Sequence, residues 1–207
     1  MPEPLAADAL ALPEPLPRAF FARAAADVAR EMLGASLVRR VDEGWLAARI
    51  VETEAYVGAH DLACHAARGR TARTEVMFGP AGHAYVYLIY GMWHLLNVVT
   101  GPEGHPEAVL LRAAEPLSGP LVPPRGPASL SGPGRLARAL ELTRADDGMD
   151  LCAGEPRVAL PALYIAEGTP PRNIAVSPRI GVESAGDWAA APLRFFDRDS
   201  PTVSGPR

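Results

Sequence analysis

The sequence predicts one mixed α+β domain in which mainly antiparallel strands form the sheet and helices flank it. A chain of 207 residues, 48% apolar and 21% charged, is long enough for a single sizeable core and short for two. Segments rich in β-branched and aromatic residues run over 84–90, 95–100 and 108–113, and their short polar connections favour antiparallel neighbours. Apolar residues recur at helical spacing over 19–33 and again over 134–142.

In chain order, prolines at 2, 4, 13, 15 and 17 predict a mobile tail over 1–17, leaving 18–207 as the domain. Phe20, Ala24 and Val28 fall every four positions among Arg23, Asp27, Arg30 and Glu31, the pattern of one amphipathic helix over Ala19 to Leu33 that stops at Gly34. Leu37 to Val41 and Leu46 to Tyr56 read as a hairpin joined by Asp42-Glu43-Gly44. Residues 57–83 lack periodicity and predict a long loop with at most short helical turns, a length that suggests function. Gly119 to Gly134 reads as an irregular loop before the helix at Gly134 to Leu142, with Ser131 as its candidate cap. Weaker strands are expected at Val158 to Ala166, Arg179 to Glu183 and Leu193 to Phe196.

Composition narrows the chemistry. The net charge is −4, yet residues 65–138 carry +3 while the segments on either side are acidic, so the middle third could face phosphates. All 20 basic residues are arginine, which removes lysine Schiff-base catalysis. The two cysteines, Cys64 and Cys152, form neither a disulfide framework nor a zinc motif. His60 and His65 beside Cys64 lack the second ligand pair a metal site needs. No apolar run approaches a membrane span and the first 17 residues lack a basic signal-peptide start. A cytoplasmic protein, not secreted and with reduced thiols, is therefore expected, nucleoid-associated if the source is bacterial.

In an extended Arg49 to Tyr56, Glu52, Glu54 and Tyr56 share one face and Val51, Thr53 and Ala55 the other. That face reads either as a solvated edge or as a general base beside an aromatic wall. Four of the five tyrosines lie at 56, 85, 87 and 90. Tyr85 and Tyr87 share a strand face, and Tyr90 sits at the strand end before Gly91. These rings read either as core aromatics or as a stacking wall with a wedge at a loop tip. Asn97 within an apolar strand needs hydrogen-bond partners if buried, and Arg112 within another must be paired or face solvent or a phosphate.

Five motifs, Arg49-Ile-Val-Glu-Thr-Glu-Ala-Tyr56, Tyr85-Val-Tyr-Leu-Ile-Tyr-Gly-Met92 with Asn97, Val109-Leu-Leu-Arg-Ala113, Ser131-Gly-Pro and Pro192-Leu-Arg-Phe195, resemble in order and spacing the alkyladenine (3-methyladenine) DNA glycosylase family, across roughly residues 19–204. The resemblance implies a single domain around a curved antiparallel sheet and a monofunctional enzyme of base excision repair with no metal or organic cofactor. It implies that alkylated or deaminated purines, of the 3-methyladenine, hypoxanthine and ethenoadenine class, are flipped from double-stranded DNA and released by a Glu-activated water. It makes Glu54 the general base, Tyr56, His65 and Tyr87 the walls around the everted base, and Asn97 the pocket floor. Tyr90 becomes the inserted wedge, Arg112 a phosphate contact, and Met92 and Leu110 residues lying along the DNA. Trp93 and His94 depart from the residues usual in the family. A monomer is expected. The competing expectations are a nucleoside or glycoside hydrolase using Glu52 and Glu54 as an acid and base pair, and a non-catalytic nucleic-acid-binding module.

Overall fold

The computed structural model describes residues 12–42, 44–117, 130–152 and 160–206. A single mixed α+β domain is built on one curled sheet of eight strands, and all strand pairings among the described residues are antiparallel. The strands are β1 (Ser36–Val41), β2 (Gly44–Tyr56), β3 (Ala84–Ile89), β4 (Trp93–Thr100), β5 (Glu107–Pro116), β6 (Leu163–Ala166), β7 (Ile174–Ser177) and β8 (Arg194–Asp197). Among the described residues three short α-helices accompany them: α1 (Arg18–Phe21), α2 (Ala25–Glu31) and α3 (Pro133–Ala139).

Strand order runs β3-β4-β5-β2-β1-β6, with β8 bridging β2 and β7. The 13-residue β2 organises the sheet. One of its edges pairs with β5, while the other pairs with β1 up to Arg49 and with β8 from Glu52. The change of partner coincides with a register shift: Ile50 opposes Ala114, Glu52 opposes Ala113 and Thr53 opposes Leu111, so Val51 and Arg112 fall out of the ladder. Such a bulge bends a strand and increases its twist, and here it curls the sheet where the two carboxylates sit.

The bulge also corrects the alternation expected for β2. Thr53 donates its hydroxyl to the Ala29 carbonyl of α2 at 2.7 Å and Ala55 joins the main core, as predicted. Val51 instead packs with Ala113, Ala175, Phe196 and Val203. The main core lies between the sheet and the three helices, with Phe21, Val28, Met32, Leu136 and Leu140 against Ile50, Val86, Leu96, Val98, Val109 and Leu111. The opposite side of β3 carries Tyr85 and Tyr87 in a second cluster with Cys64 and Met77.

Several expectations are corrected. The N-terminal helix is two helices, because Glu107 of β5 accepts the Ala25 amide N–H at 2.7 Å and so caps α2 from across the fold, a favourable charge at a helix start. Past α2, Gly34 at φ +89° has room only for hydrogen: a Cβ there would lie 2.1 Å from the Thr169 carbonyl oxygen. The helix near 134 begins at Pro133 with Gly132 at its N-cap and no side-chain cap, and Ser131 bridges Ala113 instead. Arg179 to Glu183 is not a strand; the strand in that region is β7, at Ile174–Ser177. Within the predicted tail, Pro15 bridges Ala166 and Leu16 donates its amide to Ile165 at 2.7 Å. Residues 1–11, Glu43 of the first turn, most of the Gly119 to Gly134 loop and the first two residues of Val158 to Ala166 lie outside the described residues. The long loop at 57–83 contains two short 3₁₀ turns, His65–Arg68 and Glu75–Phe78, as expected.

Candidate active site

Two adjoining concavities open on the side of the sheet that carries Glu54 and Tyr56, and the start of α3 (Pro133, Gly134 and Arg135) borders the wider one. A cleft of about 580 Å³ is bordered by Tyr56, Tyr87, Ile89, Tyr90, Leu110 and Arg112, among others. A smaller pocket of about 130 Å³ is bordered by Tyr56, Cys64, His65, Tyr87, Asn97 and Val182, among others. Tyr56, Tyr87, Ile89 and Gly181 border both, so the pocket is the deep end of the cleft.

The alternation of β2 brings Glu54 and Tyr56 together, and Tyr56 donates its hydroxyl hydrogen to Glu54 Oε2 at 3.0 Å. Glu54 has no exposed surface. Its Oε1 accepts the Ile180 amide at 2.8 Å and lies 3.3 Å from Arg112 Nη1. Burial raises the Glu54 carboxyl above its ordinary range, opposed by Arg112, the Ile180 amide and Tyr56, with Glu52 pushing the same way as burial. Desolvation penalises a buried carboxylate, whereas a cation and donors favour it, and here the first prevails. The three groups that hold Glu54 all border the cleft or the pocket, so the carboxylate lies one layer below it. Burial, then the Glu54 charge, raises the Tyr56 phenol well above its usual value, which keeps it a donor.

Glu52 occupies the same side but is fully engaged. Its Oε1 accepts from Arg194 Nε at 2.7 Å and Arg112 Nε at 3.1 Å, and its Oε2 accepts the Ser204 amide at 2.6 Å. Arg194 also donates to the carbonyl oxygens of Ser204 and Pro206. Removing one partner from such a buried network typically costs about 3–5 kcal/mol.

The expected pocket residues converge. His65 and Tyr87 meet edge to face with centroids 4.5 Å apart, and His65 Nδ1 is 2.9 Å from the Tyr85 hydroxyl. Burial, followed by Arg73 and Arg68, lowers the His65 imidazolium to about 4, so the ring is neutral near pH 7. Asn97, in β4 between Tyr85 and Leu110, is buried and donates its amide N–H to the Tyr85 carbonyl at 3.0 Å. Asn97 is thus a satisfied buried amide that also borders the smaller pocket.

The hairpin between β3 and β4 turns through Tyr90 (φ 53°) and Gly91 (φ 69°), with the Met92 amide donating to Ile89 at 3.2 Å. Two successive positive φ values around that bond define a type I′ turn. Only a glycine adopts this conformation at no steric cost; Tyr90 occupies it as a side chain that is 85% exposed, and Met92 is 67% exposed. Two expectations change. Arg112, expected on a phosphate, directs its donors inward to Glu52, Glu54 and the Ser204 hydroxyl, because the β2 bulge leaves it opposite both carboxylates. Leu110, expected along DNA, is buried in the cleft lining.

Sequence reasoning missed Asp61, Arg73, Arg179, Ile180 and Ser204. Arg73 lies with its guanidinium carbon 5.2 Å from the Tyr87 centroid. Arg179 lies 4.7 Å from the Tyr56 centroid. An unpaired-looking acid in the loop after Tyr56 was the one local signal. Among the described residues no group of three or more His, Cys, Asp or Glu side chains could hold a metal ion, and no helix is long and apolar enough to cross a membrane.

Comparison with known proteins gives this geometry its context. Residues 19–201 match the methylpurine-DNA glycosylase family. A protein of Myxococcus xanthus is 57% identical over 193 residues, covering 91% of this chain and 93% of its own. One of Methanocella arvoryzae is 50% identical over 197 residues, covering 91% and 95%, and one of Legionella pneumophila strain Lens is 46% identical over 191 residues, covering 91% and 97%. All three are named as 3-methyladenine DNA glycosylases. An aromatic-walled pocket above a buried carboxylate, a projecting aromatic side chain and a match over nearly the whole chain place this protein in the methylpurine-DNA glycosylase family, as a DNA glycosylase.

Proposed function

We propose that the protein flips alkylated or deaminated purines out of double-stranded DNA and releases them with a water activated by Glu54. The observation that carries the reading is the convergence of Tyr56, Tyr87 and His65 on one pocket whose Tyr56 wall is hydrogen-bonded to Glu54. A base inside a duplex is unreachable, and extrusion costs a few kcal/mol, least for a damaged or mispaired base. Stacking on aromatic walls returns about 1–3 kcal/mol per base, and an exposed Tyr90 fills the space the base vacates.

Cleavage then proceeds through an oxocarbenium-like sugar. Ionised Glu54 stabilises that charge and takes a proton from water, whose oxygen bonds to the sugar carbon as the N-glycosidic bond breaks; a cationic alkylated purine departs as the neutral base, and a neutral lesion such as hypoxanthine departs as an anion that takes its proton from solvent. Oε2, now capped by the Tyr56 hydroxyl, is the oxygen that serves the water, and Arg112 and the Ile180 amide favour the ionised form against the effect of burial. Arg112 is thereby a floor residue that orients Glu54. Asn97 at the pocket end limits which purine edges fit. A single chain furnishes every described wall, so a monomer suffices. Glu52 is held by two guanidinium groups and an amide, which disfavours the acid and base pair of a nucleoside or glycoside hydrolase.

The test is incubation with duplex oligonucleotides each bearing one 3-methyladenine, hypoxanthine or ethenoadenine, followed by alkaline cleavage at abasic sites. Strand scission at the lesion is expected, with no base released from the corresponding free nucleosides. Binding without scission on every lesion returns the protein to a non-catalytic module. Borohydride is expected to trap no enzyme–DNA adduct, since attack by water forms no imine and the chain has no lysine; a robust adduct would contradict the water mechanism.

A further inference from the structure

We propose that Arg179 is a positioning residue for base release, fixing together the plane of the Tyr56 wall and the Ile180 amide that holds Glu54. The inference rests on the reading of Glu54 as the base and adds a residue that no local motif marks.

Arg179 and Asp61 form an ion pair in which both side chains are wholly buried, with Nη2 donating to Oδ1 at 2.8 Å. Each partner reaches further. Arg179 Nη1 donates to the Ala55 carbonyl at 2.9 Å, and Nη2 to the Trp188 carbonyl at 3.3 Å. Asp61 accepts the backbone amides of Val57 at 3.3 Å and Ala63 at 3.0 Å. The guanidinium carbon stands 4.7 Å from the Tyr56 centroid, a cation–π distance. Among the described residues Arg179 Nε has no acceptor, so hydrogen bonding alone does not explain the pose; the guanidinium lies over the ring.

One ion pair thus ties the end of β2, the loop that carries Cys64 and His65, and the segment 179–182 that closes the pocket. Its immediate neighbour Ile180 supplies the amide on Glu54 Oε1. Displacing Arg179 therefore loosens the wall that stacks the base and the donor that favours ionised Glu54. Of the charged groups near Glu54, Glu52 and Arg112 keep their own partners when Arg179 changes. A misplacement of about 1 Å can lower a rate by about 10²-fold, and a lost donor to a carboxylate raises the pH at which it ionises.

The experiment follows single-turnover base release across pH from the lesion duplex that the wild-type enzyme processes. It is run for wild type, Arg179→Lys and Asp61→Asn, with thermal melts and affinity for an abasic-analogue duplex measured on each. Lysine keeps the charge but loses the flat group and its fork. Arg179→Lys is expected to slow release by about 10–100-fold and to move the acid limb of the rate profile to higher pH. Its affinity for abasic duplex, which offers Tyr56 no base to hold, is expected to match wild type. A folded Arg179→Lys with the wild-type rate and limb, or one that loses only folded fraction with an unchanged limb, overturns the proposal. Should Arg179→Lys fail to fold, Asp61→Asn is read by the same criterion. Wild-type enzyme that releases no base overturns the Glu54 reading itself, an outcome distinct from an active enzyme indifferent to Arg179.

Discussion

Beneath the cleft, Glu52, Glu54, Asp61, Arg112, Arg179 and Arg194 are all buried, whereas at the tip of the β3–β4 hairpin Leu88, Tyr90 and Met92 are exposed. Charge lies inside and aromatic and apolar surface outside, the reverse of ordinary partitioning. The floor tolerates its charges because each has partners: Glu52 receives three donors and Glu54 two hydrogen bonds and a cation. The tip needs no such support, since an exposed side chain adds little to the core. The contrast separates what the two regions can lose. Loss of a floor cation disturbs geometry and folding together; change at the tip acts mainly on what the protein meets from outside.

Substitutions in both regions probe this contrast. The largest effect is expected from Glu54→Gln, which should slow single-turnover base release by at least about 10²-fold, the lower end for a lost general base. The same variant should melt no lower than wild type, because burial already disfavours the ionised carboxyl and a neutral amide avoids that penalty. Retained turnover would remove Glu54 from its role. In wild type, release should fall as acidification protonates Glu54, with a midpoint above the ordinary glutamate value.

Next comes Arg112→Met, which leaves two buried carboxylates without their shared cation. A loss of about 3–5 kcal/mol in urea unfolding is expected, partly recovered in the Glu52→Gln/Arg112→Met double variant. If the double variant recovers nothing, the floor is not an electrostatic unit.

At the tip, Tyr90→Ser should leave the melt near wild type while weakening capture of a flipped abasic analogue by about 1–3 kcal/mol. Undiminished affinity would sink the wedge. Tyr90→Gly sharpens the point: it relieves a left-handed backbone and should raise stability by up to about 1 kcal/mol, with the same loss of capture.

The smallest effect concerns His65. Its imidazolium is lowered in the folded protein to about 4, below the unfolded value of about 6.5. The unfolded chain therefore binds more protons between those values, and stability present above pH 6.5 declines as pH falls toward 4. Melting temperatures measured over that window should drop more for wild type than for His65→Gln.

What could be read from the sequence follows from range along the chain. The strand pairs β1–β2, β3–β4 and β4–β5 were legible because alternation and turn chemistry are local. So were Glu54 and Tyr56, two residues apart on one strand, and Tyr90 before a glycine. The break between α1 and α2 was not, since it is made by Glu107 from 82 residues away. β7 is four residues long and finds its reason only in β8. The inward turn of Arg112 depends on the β2 bulge, and Arg179 pairs with an acid 118 positions earlier. Buried ion pairs leave no periodicity behind.

The irregular step at Val51 has a further implication for how this chain can vary. Side chains there are assigned to sides by counting, so removing or adding one residue just before Thr53 would send the carboxylate of Glu54 toward α2 and the threonine toward the cleft side. Substitution can tune this strand; a change of its length would dismantle the reaction centre in a single event.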